Sequence, residues 1–316
     1  MTDSFFIEFN IPKENINLNH QSSVITLGSC FSDEIGEKLS FAGFDVLVNP
    51  LGTLFHPMSI AHALSFALGQ REKYLVKKSD VFLDYAFSGK LYAMSEQELS
   101  SKLGNIGDQL ARKLSSSTHL ILTFGTSIGY ELPSGFLVAN CHQQPASNFH
   151  KVNSSIDAMY EALSTILDKL YQINSDLKVL VTVSPVRHLK DGIIENGRSK
   201  AKLLSLCEML ESRGVNYFPA YEIFMDELRD YRFSKEDLTH PNEIAVDYIW
   251  NKFKNAYLDE STLKLTSEVE AYHRSLNHRI LYPESQGAND YKEKLIQTYE
   301  NLINRMPNLR LKSLPL

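Results

Sequence analysis

"VITLGSCFSDEIGEKL" runs from Val24 to Leu39. A short apolar run reaches Gly28, and apolar residues then recur at Phe31, Ile35 and Leu39, four apart and on one helical face. The pattern is a buried strand over 23–28 that turns directly into a helix. Ser29 and Cys30, two nucleophilic residue types, stand side by side on that turn. A serine there sits at a helix N-terminus, where backbone N–H groups can stabilise a developing negative charge. It can equally be the N-cap of the helix and nothing more.

Working outward, Gly43 ends the helix and 44–48 reads as a second strand. "NPLGTLFHP" (49–57) is a loop, and 58–69 a helix. "VFLDYAFSGKLYAM" (81–94) reads as a hairpin about Ser88-Gly89, with a helix over roughly 95–114. Strand–helix alternation resumes at "THLILTFGTS" (118–127). Ile156, Met159, Leu163, Ile166, Leu170 and Ile173 then mark a long amphipathic helix. "KVLVTVSP" (178–185) is a fourth strand, 199–213 a helix stopped by Gly214, and "VNYFPA" (215–220) a fifth strand. The last core helix is expected over 241–257, with Pro241 as its first residue.

The third and fourth strands are nearly continuous apolar runs, as in strands covered by helices on both faces. Such alternation implies a parallel sheet with right-handed crossovers, and ligands outside the carboxyl ends of its strands. We expect an α/β domain over 1–258, with a helix/hairpin insertion at about 55–115. Residues 259–316 are expected to form a helical extension packed on the core, with helices at 262–280 and 288–305.

Composition narrows the class. The 316 residues are 43% hydrophobic and 22% charged, ordinary for a globular protein. The net charge of -6 and the lack of a basic tract argue against nucleic acid or an anionic membrane as partner. Phe5-Phe6-Ile7 is cut by Glu8 with no basic region before it, so a secretory leader is not supported. No apolar run approaches the roughly 18 residues of a membrane span. Cys30, Cys141 and Cys207 are odd in number and widely spaced, which fits a reducing cytoplasm; a secreted form with its leader removed stays compatible.

The strand ends supply the candidate chemistry. After the first comes Ser29; after the second, Gly52, which could bring a backbone N–H close to a ligand. After the third come Gly125, Thr126 and Ser127, then Asn140, Cys141 and His142 in a polar loop. After the fourth, Arg187 and His188 could hold a substrate oxygen or anion. After the fifth, Asp237 and His240 stand three apart. An aspartate can orient an imidazole through one ring nitrogen and leave the other to take a proton from a serine. The plain alternative is that Asp237 only tightens its turn. Cysteines and histidines could converge on a metal, but no C-x-x-C or H-x-x-x-H spacing is present. No dinucleotide or phosphate loop follows a strand, so no cofactor is expected.

These blocks resemble a known family. "GSCFSDEIGEKL" is similar to the Gly-Ser-Cys-Phe-Ala motif that names the GSCFA domain family, with Ser32 in place of the alanine. "NPLGTLFHP", "TFGTSIGYE", "VANCHQQP", "SPVRHLKDG", "RSKAKLL", "FPAYEIFMDELRDYRF" and "DLTHPNEIAVDYIW" follow in order across roughly 23–257. GSCFA domains are similar to the SGNH (GDSL-type) hydrolases. The resemblance implies a three-layer α/β/α, flavodoxin-like sheet of order 2-1-3-4-5. It also implies Ser29 as nucleophile, Asp237 and His240 as its partners, and the N–H groups of Ser29 and Gly52 as oxyanion donors. The SGNH block Gly-x-Asn-Asp is absent, since "GTSI" carries no asparagine; Thr126, Ser127 or Asn140 is the expected substitute.

The expected activity is that of a serine esterase acting on a small acyl ester, on a carbohydrate or related metabolite by analogy with the wider fold. Acyl transfer through the same site, or ligand binding without catalysis, are the alternatives. Cys30 is expected to turn toward the core or the helix flank, leaving Ser29 to attack; a helix N-terminus that lowers its pKa would favour the thiol instead.

Overall fold

The structure, a computed structural model, describes residues 7–12 and 16–313. Phe5 and Phe6, on which the leader argument rests, lie outside the described residues.

The elements run in the following order. Strand β1 (Ser23–Gly28) leads into helix α1 (Cys30–Phe41), β2 (Asp45–Val48) and α2 (Pro57–Ala67). The hairpin β3 (Leu75–Lys78) and β4 (Val81–Asp84) precedes α3 (Glu96–Ser116) and β5 (His119–Phe124). Then come β6 (Ile128–Glu131), β7 (Leu137–Val138), β8 (His150–Asn153) and α4 (Ile156–Ile173). Strand β9 (Lys178–Val183), α5 (Ile193–Glu211), β10 (Asn216–Phe218) and a short α6 (Ala220–Glu222) follow. The last helices are α7 (Glu243–Tyr257), α8 (Glu260–Leu276) and α9 (Gln286–Arg305).

Five strands form the central sheet in the spatial order β2-β1-β5-β9-β10, all parallel. Side chains alternate between its faces, as the pleat requires. Ile25, Leu27, Leu120, Leu122, Val179 and Val181 enter one core with α2, α3, α4 and α5. Val24, Ile121, Leu180 and Phe218 enter the other, with α1 and α7. Helices on both faces explain why β5 and β9 read as unbroken apolar runs.

Two local readings are corrected and one element is added. The hairpin lies upstream of the expected turn: β3 and β4 pair around Ser79, whose φ is 54°. Asp84 ends β4 by accepting the Ala86 N–H at 2.9 Å, and residues beyond Ser88-Gly89 return only as the bridge Phe82–Ala93. Helix α7 begins two residues after Pro241, because the Asn242 side chain takes the N-cap and accepts the Ala245 N–H at 3.1 Å. The stretch after β5 also holds an unforeseen three-stranded antiparallel sheet β7-β6-β8, and the polar loop with Asn140, Cys141 and His142 joins β7 to β8.

Helix α8 packs against α1, and α9 packs on α8. His273, fully buried, donates from Nδ1 to the Phe41 carbonyl at 2.7 Å and accepts the Lys312 N–H on Nε2 at 3.0 Å. Arg310 donates its N–H to Gly43 at 2.9 Å, and a Cβ on Gly43 would stand 3.0 Å from Val269. No helix among the described residues is long and apolar enough to cross a membrane.

His56 ties α2 to the sheet β7-β6-β8. Its Nδ1 accepts the Met58 N–H at 3.1 Å, and its Nε2 donates to the Ser127 carbonyl at 3.0 Å. That pattern uses the neutral ring, and burial pulls the pKa down from 6.5 to about 4. Below about 6.5 the unfolded chain takes up a proton that the folded one refuses, so stability is lost as pH falls towards 4. The melting temperature is expected to drop across that window. His56→Asn, which caps without titrating, is expected to flatten part of the drop in a thermal denaturation series.

Candidate functional site

The turn after β1 is held by its glycine. Gly28 has a φ of 144°, and a Cβ there would stand 2.2 Å from the Thr123 carbonyl oxygen. Its N–H donates to Asn49 Oδ1 at 2.8 Å, and its carbonyl accepts the Leu54 N–H at 2.8 Å. Asn49 also donates to Asp33 on α1 at 2.6 Å. The loop after β2 therefore braces the turn that presents Ser29.

Ser29 occupies the N-cap position of α1 but its side chain caps nothing. Its Oγ is enclosed and has no hydrogen-bond partner, and the residue is 0% exposed. An orphaned buried hydroxyl costs about 1–3 kcal/mol, and such groups call for a reason beyond packing. The capping explanation for this serine is thereby removed.

Cys30, the first residue of α1, is partly exposed where Ser29 is fully buried. Burial, with Asp33 and Glu34 nearby, nevertheless pushes its thiol above the ordinary value. The N–H groups of Cys30 and Phe31 pull the other way and lose. A protonated thiol is a poor nucleophile.

Asp237 and His240 form the expected pair. His240 Nδ1 donates to Asp237 Oδ2 at 2.6 Å. The other carboxylate oxygen accepts the N–H groups of Thr239 and His240 at 2.9 and 3.0 Å. Those N–H groups, and then the imidazole, hold the Asp237 carboxyl well below the usual carboxylate range. Asp237 thus tightens the turn and orients the ring at once. His240 Nε2 carries no hydrogen bond among the described residues. Leu238, at a φ of 58°, makes this sharp loop possible. Lys235, in the same loop, reaches Glu34 on α1 at 3.5 Å, which lays the loop against the helix that Ser29 begins.

Arg187, expected to meet substrate, instead pins this loop. Its N–H donates to the Thr239 carbonyl and its guanidinium to the Leu238 carbonyl, both at 3.2 Å. His188 lies edge-on to Phe55 at 5.2 Å, with Nε2 buried and unpartnered. Burial first, then the charges of Lys200 and His240, pull its pKa to about 4, so the ring is neutral.

The backbone N–H groups expected at an oxyanion are engaged within the turns themselves. The Ser29 N–H donates to Thr123 at 3.1 Å, and the Gly52 N–H to Asn49 at 2.7 Å. Gly52 instead lets the chain pass Ser88, whose Cβ would lie 2.2 Å from an added Cβ. The Gly125 N–H donates to Phe55 at 2.7 Å. Thr126 Oγ1 meets Ser199 at 3.1 Å, and Ser127 Oγ donates to Asn153 at 2.9 Å. Asn140 accepts the His142 N–H at 2.7 Å, and His142 Nε2 donates to the Asp84 carbonyl at 2.8 Å. Those last two residues join the β4 segment.

One residue escaped the sequence reading. Lys200 on α5 is 1% exposed, and its Nζ donates to the carbonyls of Gly125 at 2.8 Å and Ser184 at 2.7 Å. The signal was present: Lys200 precedes Leu203 by three and Cys207 by seven, on the face that faces inward. Electrostatics link Lys200 to Cys30 and to His188, and His188 to His240. The ends of β1, β5 and β9 and the loop after β10 thus converge.

No group of His, Cys, Asp and Glu able to hold a metal occurs among the described residues. Residues 23–253 match the model of the GSCFA family. Among proteins of curated function, none matches this chain.

Proposed function

The chain belongs to the GSCFA family, and we propose that it is a serine hydrolase of SGNH type that cleaves a small acyl ester. The carrying observation is the 2.6 Å Asp237–His240 pair, on a loop packed against the helix whose first turn leaves the Ser29 hydroxyl unpartnered. The sheet order and the D-x-x-H block support the SGNH kinship.

In this reading Ser29 Oγ attacks the ester carbonyl while its proton passes to His240 Nε2. The new C–O bond places the carbonyl π electrons on oxygen. Collapse breaks the bond to the alcohol, which leaves with the proton from His240. Water, deprotonated by the same nitrogen, then releases the acid and restores Ser29. Asp237 steadies the imidazolium throughout. Because the Oγ is enclosed, substrate entry requires the residues above it to part. The alcohol is a carbohydrate or related metabolite by analogy with the wider fold, and an alcohol acceptor in place of water would make the same site a transferase.

A non-catalytic ligand-binding module is the second reading. The engaged N–H groups of Ser29 and Gly52 favour it, since the expected oxyanion hole is filled by the turn itself. Labelling with a fluorophosphonate, read by intact mass, separates the two. An adduct is expected on wild type and on Cys30→Ala, and none on Ser29→Ala. A folded wild type that takes no adduct refutes the hydrolase reading.

A further inference from the structure

Lys200 is an expensive residue to keep where it lies. A buried ammonium needs every N–H paired, and a methionine of similar reach would fill the space at less cost. Two of its three N–H groups are paired, to the carbonyls that follow β5 and β9. The third makes no hydrogen bond among the described residues and has only the face of the Tyr221 ring, 5.7 Å from Nζ, which a developing oxyanion would outbid. No carboxylate among the described residues pairs with it; the acid that acts on it is the Cys30 thiol, at the start of α1. Beside it the buried His188 Nε2 is also unpartnered, and would stand 3.1 Å from a Cβ on Gly125.

These groups surround the place where a donor is missing. The SGNH-like asparagine should follow the glycine at the end of β5, and Gly125 is that glycine. Strand β5 lies between β1 and β9, about 5 Å from each, and the Ser29 N–H is itself bonded to the Thr123 carbonyl of β5, so a group spanning the ends of β5 and β9 is one strand away from Ser29.

We propose that Lys200 replaces the absent asparagine, with its third N–H holding the carbonyl oxygen of the substrate as that oxygen becomes negative. This rests on the serine-hydrolase reading of Ser29. As the Oγ–C bond forms, the displaced electron pair settles on an oxygen already facing the ammonium. Lys200 keeps its proton through the step, and on collapse the electron pair on the oxygen re-forms the carbonyl as the bond to the alcohol breaks. A charged donor in a water-free site holds an oxyanion more strongly than an amide does. Burial pulls the Lys200 pKa down to about 7, and a neighbouring oxyanion pushes it back up, so the proton stays on nitrogen when it is needed.

The test uses the full chain and a fluorophosphonate. Lys200→Met is expected to slow labelling by about a hundredfold or more, while Ser29 stays the labelled residue. If Lys200 only clamps β5 to β9, the melting temperature falls and the labelling rate of the folded fraction does not, which overturns the proposal. Should the variant fail to fold, a crystal structure of the wild-type adduct decides. The phosphonyl oxygen is expected at about 2.7–3.1 Å from Lys200 Nζ. An oxygen turned elsewhere overturns the role of Lys200 and leaves the hydrolase standing. A wild type with no adduct removes both.

Discussion

Ser29→Ala is expected to lose about a millionfold in turnover and to melt at a higher temperature than wild type. The first effect follows from removing the nucleophile. The second follows from the state of its hydroxyl, which is buried and satisfied by nothing. Alanine at an N-cap ordinarily costs about 0.5–2 kcal/mol, but that cost comes from a lost cap bond, and here there is none. Removing an orphaned hydroxyl should instead return about 1 kcal/mol, or about 1.5 °C in a chain of this size. Ester hydrolysis and calorimetry on the same sample check both. A variant that loses stability together with activity would make Ser29 a structural residue.

Asp237→Asn is expected to cost about ten-thousandfold in turnover with an unchanged melting temperature. The asparagine oxygen can still accept the Thr239 and His240 N–H groups, so the turn persists. Its amide cannot accept from Nδ1 at the same time, and the imidazole proton moves to Nε2, where it blocks the attack of the serine. The wild-type carboxyl is held well below its usual range by three donors, so it stays ionised far into acid. Turnover within tenfold of wild type would show that Asp237 does no more than shape its loop.

Much of the architecture could be read from residue patterns, and the reasons are visible in the cores. The five parallel strands announced themselves because each is bounded by glycine, proline or a helix start, and because β5 and β9 are apolar on both faces. Ser29, Asp237 and His240 could be nominated because they follow strand ends, which a parallel sheet gathers on one side. The antiparallel sheet β7-β6-β8 could not. Its strands are two to four residues long, and their pairing depends on contacts such as Ile128 with Asn153, far apart in sequence. The hydrogen-bond donors were misjudged for a similar reason. Gly52 looked free to serve a ligand, and only the fold shows its N–H turned to Asn49 and its open side filled by Ser88. Lys200 was overlooked because a lysine on a helix is ordinarily read as solvated. Its register with Leu203 and Cys207 was the only sign otherwise.

The seal at the end of α1 sets an order of events for a growing chain. The imidazole that meets the Phe41 carbonyl comes 232 positions after it, and the backbone of Lys312 closes the contact on the far side. Contacts of such separation are slow to form, since a long loop must be closed before they return anything. A nascent chain that already holds all five strands still presents an uncovered surface around Phe41 and Gly43. The helix that Ser29 precedes is therefore locked at its far end only after Lys312 has been made, and competence at its near end is expected to follow that step abruptly.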